Sequence, residues 1–438
     1  MANSIERKAL ELALTKKIEE KRKIAKDIFQ IAYESGIYPY SINDFYMARG
    51  KGAFGGFTVP AINLRTMTFY LASAIFRAAK KINAGAFIFE VAKSEMGYTD
   101  QPPIEYTSMC LAAAVKEGYS GPVFIQGDHF QFNHKKFSEN PKKEEEGIKA
   151  IILDSINSGF YNIDIDSSTL VDLSRTKTIE QQELNYKMCA EMTNYIRQIQ
   201  PAGIEVSVGG EIGEVGGKNS TPEELRAFME GYKKEVGQSK IGISKISIQT
   251  GTSHGGVVLP DGKVAKVKLD FDTLKNLSKL AREEFGMAGA VQHGASTLPD
   301  EAFGKFPEME AAEVHLATQF QNIVYESKAF PEALREKIYG WLKKNAASER
   351  KEGQTEKQFL YKTRKKALGA FKKDILELPD DVKEHLTDEV GAKFEFLFNK
   401  LNIAGTKDSI LKYAPKKPVK IQLKEEHVGV HLDGEGDD

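Results

Sequence analysis

Four of the eight histidines in this 438-residue chain, His129, His254, His293 and His315, stand at or near the end of a short apolar run. They sit in QGDH (126–129), GTSHGG (251–256), QHGAST (292–297) and AEVHLAT (312–318). A single histidine so placed is most simply a hydrogen-bonded structural residue. Several on one rim point instead to a metal, because three neutral imidazoles with an open fourth position form a common catalytic zinc site. Glycine follows His254 and His293 directly, which lets backbone N–H groups approach an anion with no Cβ in the way. Asp128, Asp164, Asp166 and Glu211 join the same run ends, and carboxylates beside a divalent ion orient ligand imidazoles or move protons. The combination indicates metal-assisted chemistry on a phosphorylated carbonyl compound.

These groups are far apart in sequence, so an architecture must bring them together. Eight short apolar or β-branched runs recur, at 57–63, 86–92, 122–129, 162–168, 204–213, 244–252, 289–296 and 312–318. Most are separated by stretches long enough for a helix, which implies parallel βα units with right-handed crossovers. Eight units suggest a closed (β/α)8 TIM barrel, in which all strand carboxyl ends open on one face. An open doubly wound sheet is the alternative, since counting units does not demonstrate closure. The convergence of the histidines favours the barrel. The last interval is short, so its helix is little more than Pro299–Phe306.

The boundaries expected on this reading are a helical N-terminal extension over 1–56, the barrel over 57–325, appended C-terminal helices over 326–420, and a disordered acidic tail over 421–438. The lysine-rich RKK and KK runs of the C-terminal region read as solvated helix faces, with anion binding as the alternative. Near-equal numbers of basic and acidic residues, 61 against 62, exclude a polybasic nucleic-acid binder. Two cysteines, Cys110 and Cys189, without metal or redox spacing exclude a disulfide-built scaffold and indicate a cytoplasmic protein. No apolar run approaches the ~20 residues of a membrane span.

The order GDH, IDIDSS, E-I-G-x-x-G-G (Glu211 to Gly217), GTSHG, HGAS and a threonine on the last strand resembles the class II, metal-dependent fructose-bisphosphate aldolases and the related tagatose-bisphosphate aldolases. The resemblance spans roughly 55–325 and rests on short motifs in the right order on successive strands. It implies reversible cleavage of fructose 1,6-bisphosphate to dihydroxyacetone phosphate and glyceraldehyde 3-phosphate through a Zn-stabilised enediolate, in glycolysis and gluconeogenesis. Read through it, His129, His254 and His293 are the zinc ligands, Glu211 is a conditional ligand near the metal, and Asp166 is the carboxylate behind a ligand imidazole. Asp128 moves the proton of the hydroxyl made or broken. Gly255, Gly294, Ser296 and Thr318 hold phosphate, with Asn63, Ser94 and His315 as further substrate contacts. The ion is Zn2+ or another divalent cation, with a monovalent activator compatible. The partner is a phosphorylated sugar, with no nucleic acid or membrane, and the helical extensions suggest a homo-oligomer, a dimer or tetramer.

Two departures bear on the reaction. Where the family has an acidic loop bearing its proton-abstracting glutamate, this chain has Lys218 and Asn219; Glu214, Glu223 or a carboxylate from elsewhere could substitute. The family's Asn-x-Asp-Thr on the last strand reads His315-Leu316-Ala317-Thr318. His315 is then an extra proton-transfer group, an anion donor or a packing residue. The alternatives to a fructose-bisphosphate aldolase are an aldolase or epimerase of tagatose bisphosphate or another phosphorylated ketose, or a non-catalytic sugar-phosphate-binding subunit. A Schiff-base mechanism would use Lys245.

Overall fold

A computed structural model of the chain describes residues 2–213, 218–237, 240–251, 258–260, 265, 269–414 and 419–421. His254 and Gly255, the base candidate Glu214 and nearly all of the acidic tail lie outside the described residues. Among the described residues nine parallel strands form one sheet: β1 (Ile37–Tyr40), β2 (Val59–Asn63), β3 (Ile88–Ala92), β4 (Gly121–Gln131), β5 (Asn162–Asp166), β6 (Ser207–Glu211), β7 (Lys245–Ile248), β8 (Ala290–Gln292) and β9 (Glu313–Leu316). Strands β2 to β9 pair in sequence order, and β9 returns to β2 with Val59 opposite Glu313, so the barrel is closed. The eight strands are those expected from the apolar runs.

Closure explains the composition of the strands. A barrel strand is covered by helices outside and side chains inside, so nearly every residue in β2 to β9 is buried. The outward positions are apolar, such as Phe89, Ile163, Ile246 and Val314, and pack under the surrounding helices. Several inward positions are charged. Lys245 Nζ lies 2.9 Å from Asp164 and 2.5 Å from Glu313, and donates to Gln126 Oε1 at 2.7 Å. Each buried ion here has both a counter-ion and hydrogen bonds, the condition under which such burial is tolerated. Gly209 makes room for it, because a Cβ there would stand 2.3 Å from Asp164 Oδ1.

The N-terminal stretch expected as helical contains two long helices, Ala2–Leu14 and Ile18–Glu34, and also β1. This strand extends the sheet beside the first half of β4, with Ile37 opposite Gly121 and Tyr40 opposite Phe124. The buried Glu105 takes Lys21 from the second N-terminal helix and Lys372 from the C-terminal region, each at 2.5 Å.

The C-terminal region does two separate things. Leu386, Val390, Phe394, Leu397 and Phe398 make one apolar stripe along the helix Asp380–Lys400. That stripe packs against barrel elements, with Phe394 4.8 Å from Phe320 and Phe398 5.7 Å from Phe87 between ring centroids. The segment before it, with the helix Glu356–Thr363 and the turn Arg364–Ala367, crosses the mouth of the barrel. Its Gln358 donates to Val258 O at 2.8 Å, and Gly369 N donates to Tyr98 O at 2.9 Å on the far side. A Cβ on Gly369 would lie 2.6 Å from that carbonyl, so the close approach requires glycine.

Candidate active site

The site is built around an irregularity in β4. Adjacent residues on a regular strand point to opposite faces, so Asp128 and His129 could not both face the barrel mouth. Against β5 the register slips between Gly127 and Phe130: Gly127 stands opposite Ile163, but Phe130 stands opposite Ile165. The extra residue makes a bulge, and His129 adopts a left-handed backbone with φ of 40°. Such a conformation is uncommon for a residue with a Cβ, and here it turns the imidazole inward beside Asp128. Both side chains line the cavity. Under the bulge the Phe130 ring lies so close to Gly127 that a Cβ would be 2.4 Å from it.

Around the bulge the expected residues converge. The His129 ring centroid lies 4.1 Å from that of His293, and His293 lies 4.0 Å from His315. His129 Nδ1 is 3.2 Å from Asp166 and 3.4 Å from Glu211. Asp166 is itself fixed by Gln131 at 2.7 Å and by the N–H and hydroxyl of Ser168 at 3.0 and 2.7 Å, so it can hold the ring in one orientation. His293 Nε2 meets Ser247 Oγ at 2.9 Å. Ser296 Oγ accepts from Ala317 N at 2.8 Å, and Thr318 Oγ1 accepts from Arg65 at 3.3 Å, which puts both hydroxyls on the cavity wall beside Gly294. Asn63 lines the cavity and donates to Glu95. Ser94 is buried on the short helix Lys93–Tyr98, which contributes Glu95 to the lining among the described residues.

Among the described residues three sets of donors could hold a cation, His129, Glu211 and His293, or Asp128, His293 and His315, or Glu90, Glu313 and His315, with the ligand atoms of each set within 4.8 Å of one another. Imidazole nitrogen with carboxylate oxygen suits a divalent transition ion. The charge balance points the same way. Burial opposes a charged His129 ring, but Asp128, Glu211 and Asp166 outweigh it and hold its pKa well above the imidazole range. Burial, then Asp166, pushes the Glu211 carboxyl well above the carboxylate range. The cluster is a buried excess of negative charge that favours positive charge in its midst, and the residues fit a metal ion.

His315 is no isolated packing residue. Its Nδ1 lies 2.9 Å from Glu90 and 3.1 Å from Asp128, and its Nε2 lies 2.7 Å from Glu313. Burial opposes its charge, but Glu90 and Asp128 raise its pKa well above the ordinary value. Asp164 is not on the cavity lining; it pairs with Lys245 at 2.9 Å just beneath, 3.7 Å from His315 Nε2.

Seven lining residues were not among the site residues read in the sequence: Arg65, Glu90, Glu95, Gln321, Tyr361, Lys362 and Lys365. Glu90 from β3 is fully buried, with its carboxyl pushed up to about 8 by burial and by Asp128. Arg65 grips Glu95 at 2.6 Å. Lys362 and Lys365 arrive from the C-terminal segment. The expectation of a solvated face there is therefore corrected. Within the Arg364-Lys365-Lys366 run, Arg364 is buried against Glu326 at 2.8 Å, Lys366 pairs with Glu349 at 2.7 Å, and Lys365 lines the cavity. The alternation between these roles arises because the run forms a tight turn over the mouth. The base candidate Glu223 is exposed on the helix Pro222–Val236, away from the lining, while Lys218 and Asn219 bind Glu224 and Asp270 at 2.9 Å each. Lys245 is also no candidate for a Schiff base: burial disfavours its charge, but Asp164 and Glu313 prevail and raise its pKa, so the amine stays protonated.

A closed parallel barrel with imidazoles and carboxylates at its carboxyl mouth defines a class of metal-capable barrel enzymes. Over residues 50–384 the chain matches the model of the fructose-bisphosphate aldolase class-II family, and it belongs to that family. Among solved structures it is similar to the fructuronate-tagaturonate epimerase UxaE from Cohnella laeviribosi, at 13% identity and a TM-score of 0.59, covering 87% of this chain and 86% of that one. It is also similar to a fructose-bisphosphate aldolase from Campylobacter jejuni, at 18% identity and a TM-score of 0.48 over 84% and 96% of the two chains. A third is the YdjI aldolase from Escherichia coli K12, at 13% identity and a TM-score of 0.49 over 85% and 99%. No match is found among curated proteins. Among the described residues no helix is long and apolar enough to cross a membrane.

Proposed function

We propose that this chain is a metal-dependent aldolase that reversibly cleaves a phosphorylated ketose, with fructose 1,6-bisphosphate as the first substrate to test. The observation that supports it best is the β4 bulge, which presents Asp128 and His129 together to a cavity that also holds His293 and His315 in a member of the class-II family. His129 and His293 with Glu211 are the residues proposed to hold the ion, taken as Zn2+; His254 is proposed as a ligand on the family resemblance alone. When bound, such an ion supplies Lewis-acid polarisation of a carbonyl oxygen.

The chain's own groups do the rest. Asp128, at the cavity surface, takes or returns the proton of the substrate hydroxyl. His315 turns one ring nitrogen, Nδ1, to both Asp128 at 3.1 Å and Glu90 at 2.9 Å, so its N–H is shared between the two carboxyl groups and holds Asp128 in place, while Glu313 holds Nε2. Asp166 holds the His129 ring, and Gly294, Ser296 and Thr318 hold phosphate, which reduces the entropic part of the barrier.

A second reading, epimerisation of a ketose by the same bond-breaking chemistry, is favoured by Ala317 on the cavity wall, where the family has an aspartate on the sugar skeleton. A non-catalytic sugar-phosphate subunit is the third. The two buried free thiols, Cys110 and Cys189, agree with a cytoplasmic setting, and a homo-oligomer is proposed on the extensions. The deciding experiment measures metal content and fructose 1,6-bisphosphate cleavage on one sample. Stoichiometric metal with chelator-sensitive formation of glyceraldehyde 3-phosphate supports the aldolase. An epimeric ketose as product selects the second reading, and sugar-phosphate binding without metal selects the third.

A further inference from the structure

Three buried oxygens of residues that line the cavity have no hydrogen-bond partner among the described residues: Asn63 Oδ1, Glu90 Oε1 and Gln321 Oε1. We propose that Glu90 and Gln321 join Asn63 in reading hydroxyl groups on the carbon skeleton of the substrate, so that this side of the cavity selects a polyhydroxylated ketose. The proposal rests on the catalytic reading of the cavity and says what its substrate must carry. Asn63 is the contact already expected from the sequence; Glu90 and Gln321 are new.

The three residues come from one sector of the barrel. Strands β9, β2 and β3 are neighbours, and Asn63 on β2 stands opposite Glu90 on β3, so both side chains share the inner face. Gln321 lies in the first turn of the helix Thr318–Glu326, which follows β9. It is three residues from Thr318, so the two project from one side of that helix, and both line the cavity. Phe320 of the same turn packs against Phe394 at 4.8 Å between ring centroids and fixes the helix in place. The proposed ion ligands come from other strands: His129 from β4, Glu211 from β6 and His293 from the end of β8.

Each oxygen is left over by the contacts that fix the rest of its side chain. Asn63 donates its amide N–H to Glu95, which turns the amide oxygen away from that carboxyl. Glu95 itself is spent, since its oxygens accept from Asn63, Arg65 and the Ala92 N–H. Glu90 Oε2 accepts from Gln126 Nε2 at 3.1 Å and lies 2.9 Å from His315 Nδ1, so Oε1 is the unused half of the carboxyl. A buried oxygen without a partner costs free energy, which a ligand recovers by supplying the missing hydrogen bond. That ligand must bring a proton. A phosphate dianion or a carboxylate brings none, whereas a hydroxyl donates to an amide oxygen and, because it also accepts, suits Glu90 in either protonation state. A site built to bond a hydroxyl rejects an analogue that lacks it.

The test compares two probes of equal length and equal phosphates, hexitol 1,6-bisphosphate and hexane-1,6-diol bisphosphate, by calorimetric Kd on the full-length metal-loaded protein. The wild type is expected to bind the hexitol form about a hundredfold tighter, taking each hydrogen bond as about tenfold. Gln321→Met and Glu90→Met should each reduce that ratio by about tenfold through the hexitol form alone. Changes in net charge act on both probes and cancel in the ratio. Glu90→Met strands no donor, because His315 Nδ1 keeps Asp128 at 3.1 Å and Gln126 keeps Glu313 at 2.8 Å. Gln321→Asn, which withdraws the oxygen by one methylene, should show the same loss and covers misfolding of the methionine variant. Gln321→Glu, which retains an oxygen there, should keep the ratio. No binding of either probe, a ratio near one in the wild type, or a ratio that neither residue controls overturns the proposal. Control by one residue alone assigns the contact to it and overturns it for the other. A wild type that keeps the ratio but turns over no ketose sinks the aldolase reading and leaves the hydroxyl subsite standing.

Discussion

Lys245 and Lys362 flank the same cavity and have opposite physics. Lys245 lies one side chain beneath it, through Glu313 to His315, and is fully enclosed by Asp164, Glu313 and Gln126. Lys362 stands at the cavity edge in contact with water. The first is paired because an unpaired buried charge is untenable, and so it is an internal fixture with no capacity left for a substrate. The second costs little to keep solvated and can change partners. The comparison teaches that a lysine's residue type says little about its chemistry until its enclosure is known.

The largest effect that could break this contrast is Lys245→Met. It strands two buried carboxylates and should cost about 3–5 kcal/mol of stability by denaturant unfolding. A loss below about 1 kcal/mol would mean that the network is not the fixture described. Next comes His293→Ala, in two of the three donor sets and in the one proposed to hold the ion, which should remove bound metal and slow turnover by about a thousandfold. Metal content and rate measured on the same sample check it, and retention of both would move the site elsewhere. A smaller, pH-dependent effect is expected at Glu90. Its carboxyl is pushed up from 4.5 to about 8, so the folded state holds the proton more tightly than the unfolded one. The stabilisation is complete below about pH 4.5 and is lost as pH rises through about 8. In metal-free protein, Glu90→Gln should flatten the fall of the unfolding midpoint over that window; an unchanged slope would place the proton elsewhere. The smallest effect is Lys362→Met, expected to alter stability by no more than about 0.5 kcal/mol. A larger loss would turn the exposed lysine into a structural one and erase the comparison.

Much of the barrel was readable from local signals. Strands buried on both faces must be short apolar runs, and helices must separate parallel strands, so eight runs could be counted. The chemistry at their ends followed, since His129, Glu211 and His293 each close such a run. Strand β1 escaped notice because four residues with a central proline, Ile37–Tyr40, carry too little pattern to distinguish them from a turn. Glu90 escaped because a glutamate between Phe89 and Val91 looks like an alternating surface position, whereas the closed barrel turns that position inward.

The order of strands, the polar residues at their carboxyl ends and the likeness to class II aldolases were set by residue type and spacing alone, because periodicity and short motifs are local properties. Tertiary structure alone decided three things. It placed Asp128 and His129 on the same side through a one-residue slip against β5. It buried Lys245 and left Lys362 in water. It folded a remote lysine-rich turn across the barrel mouth. Each depends on which distant groups fill the space around a side chain, and that space is defined only when the chain has closed on itself.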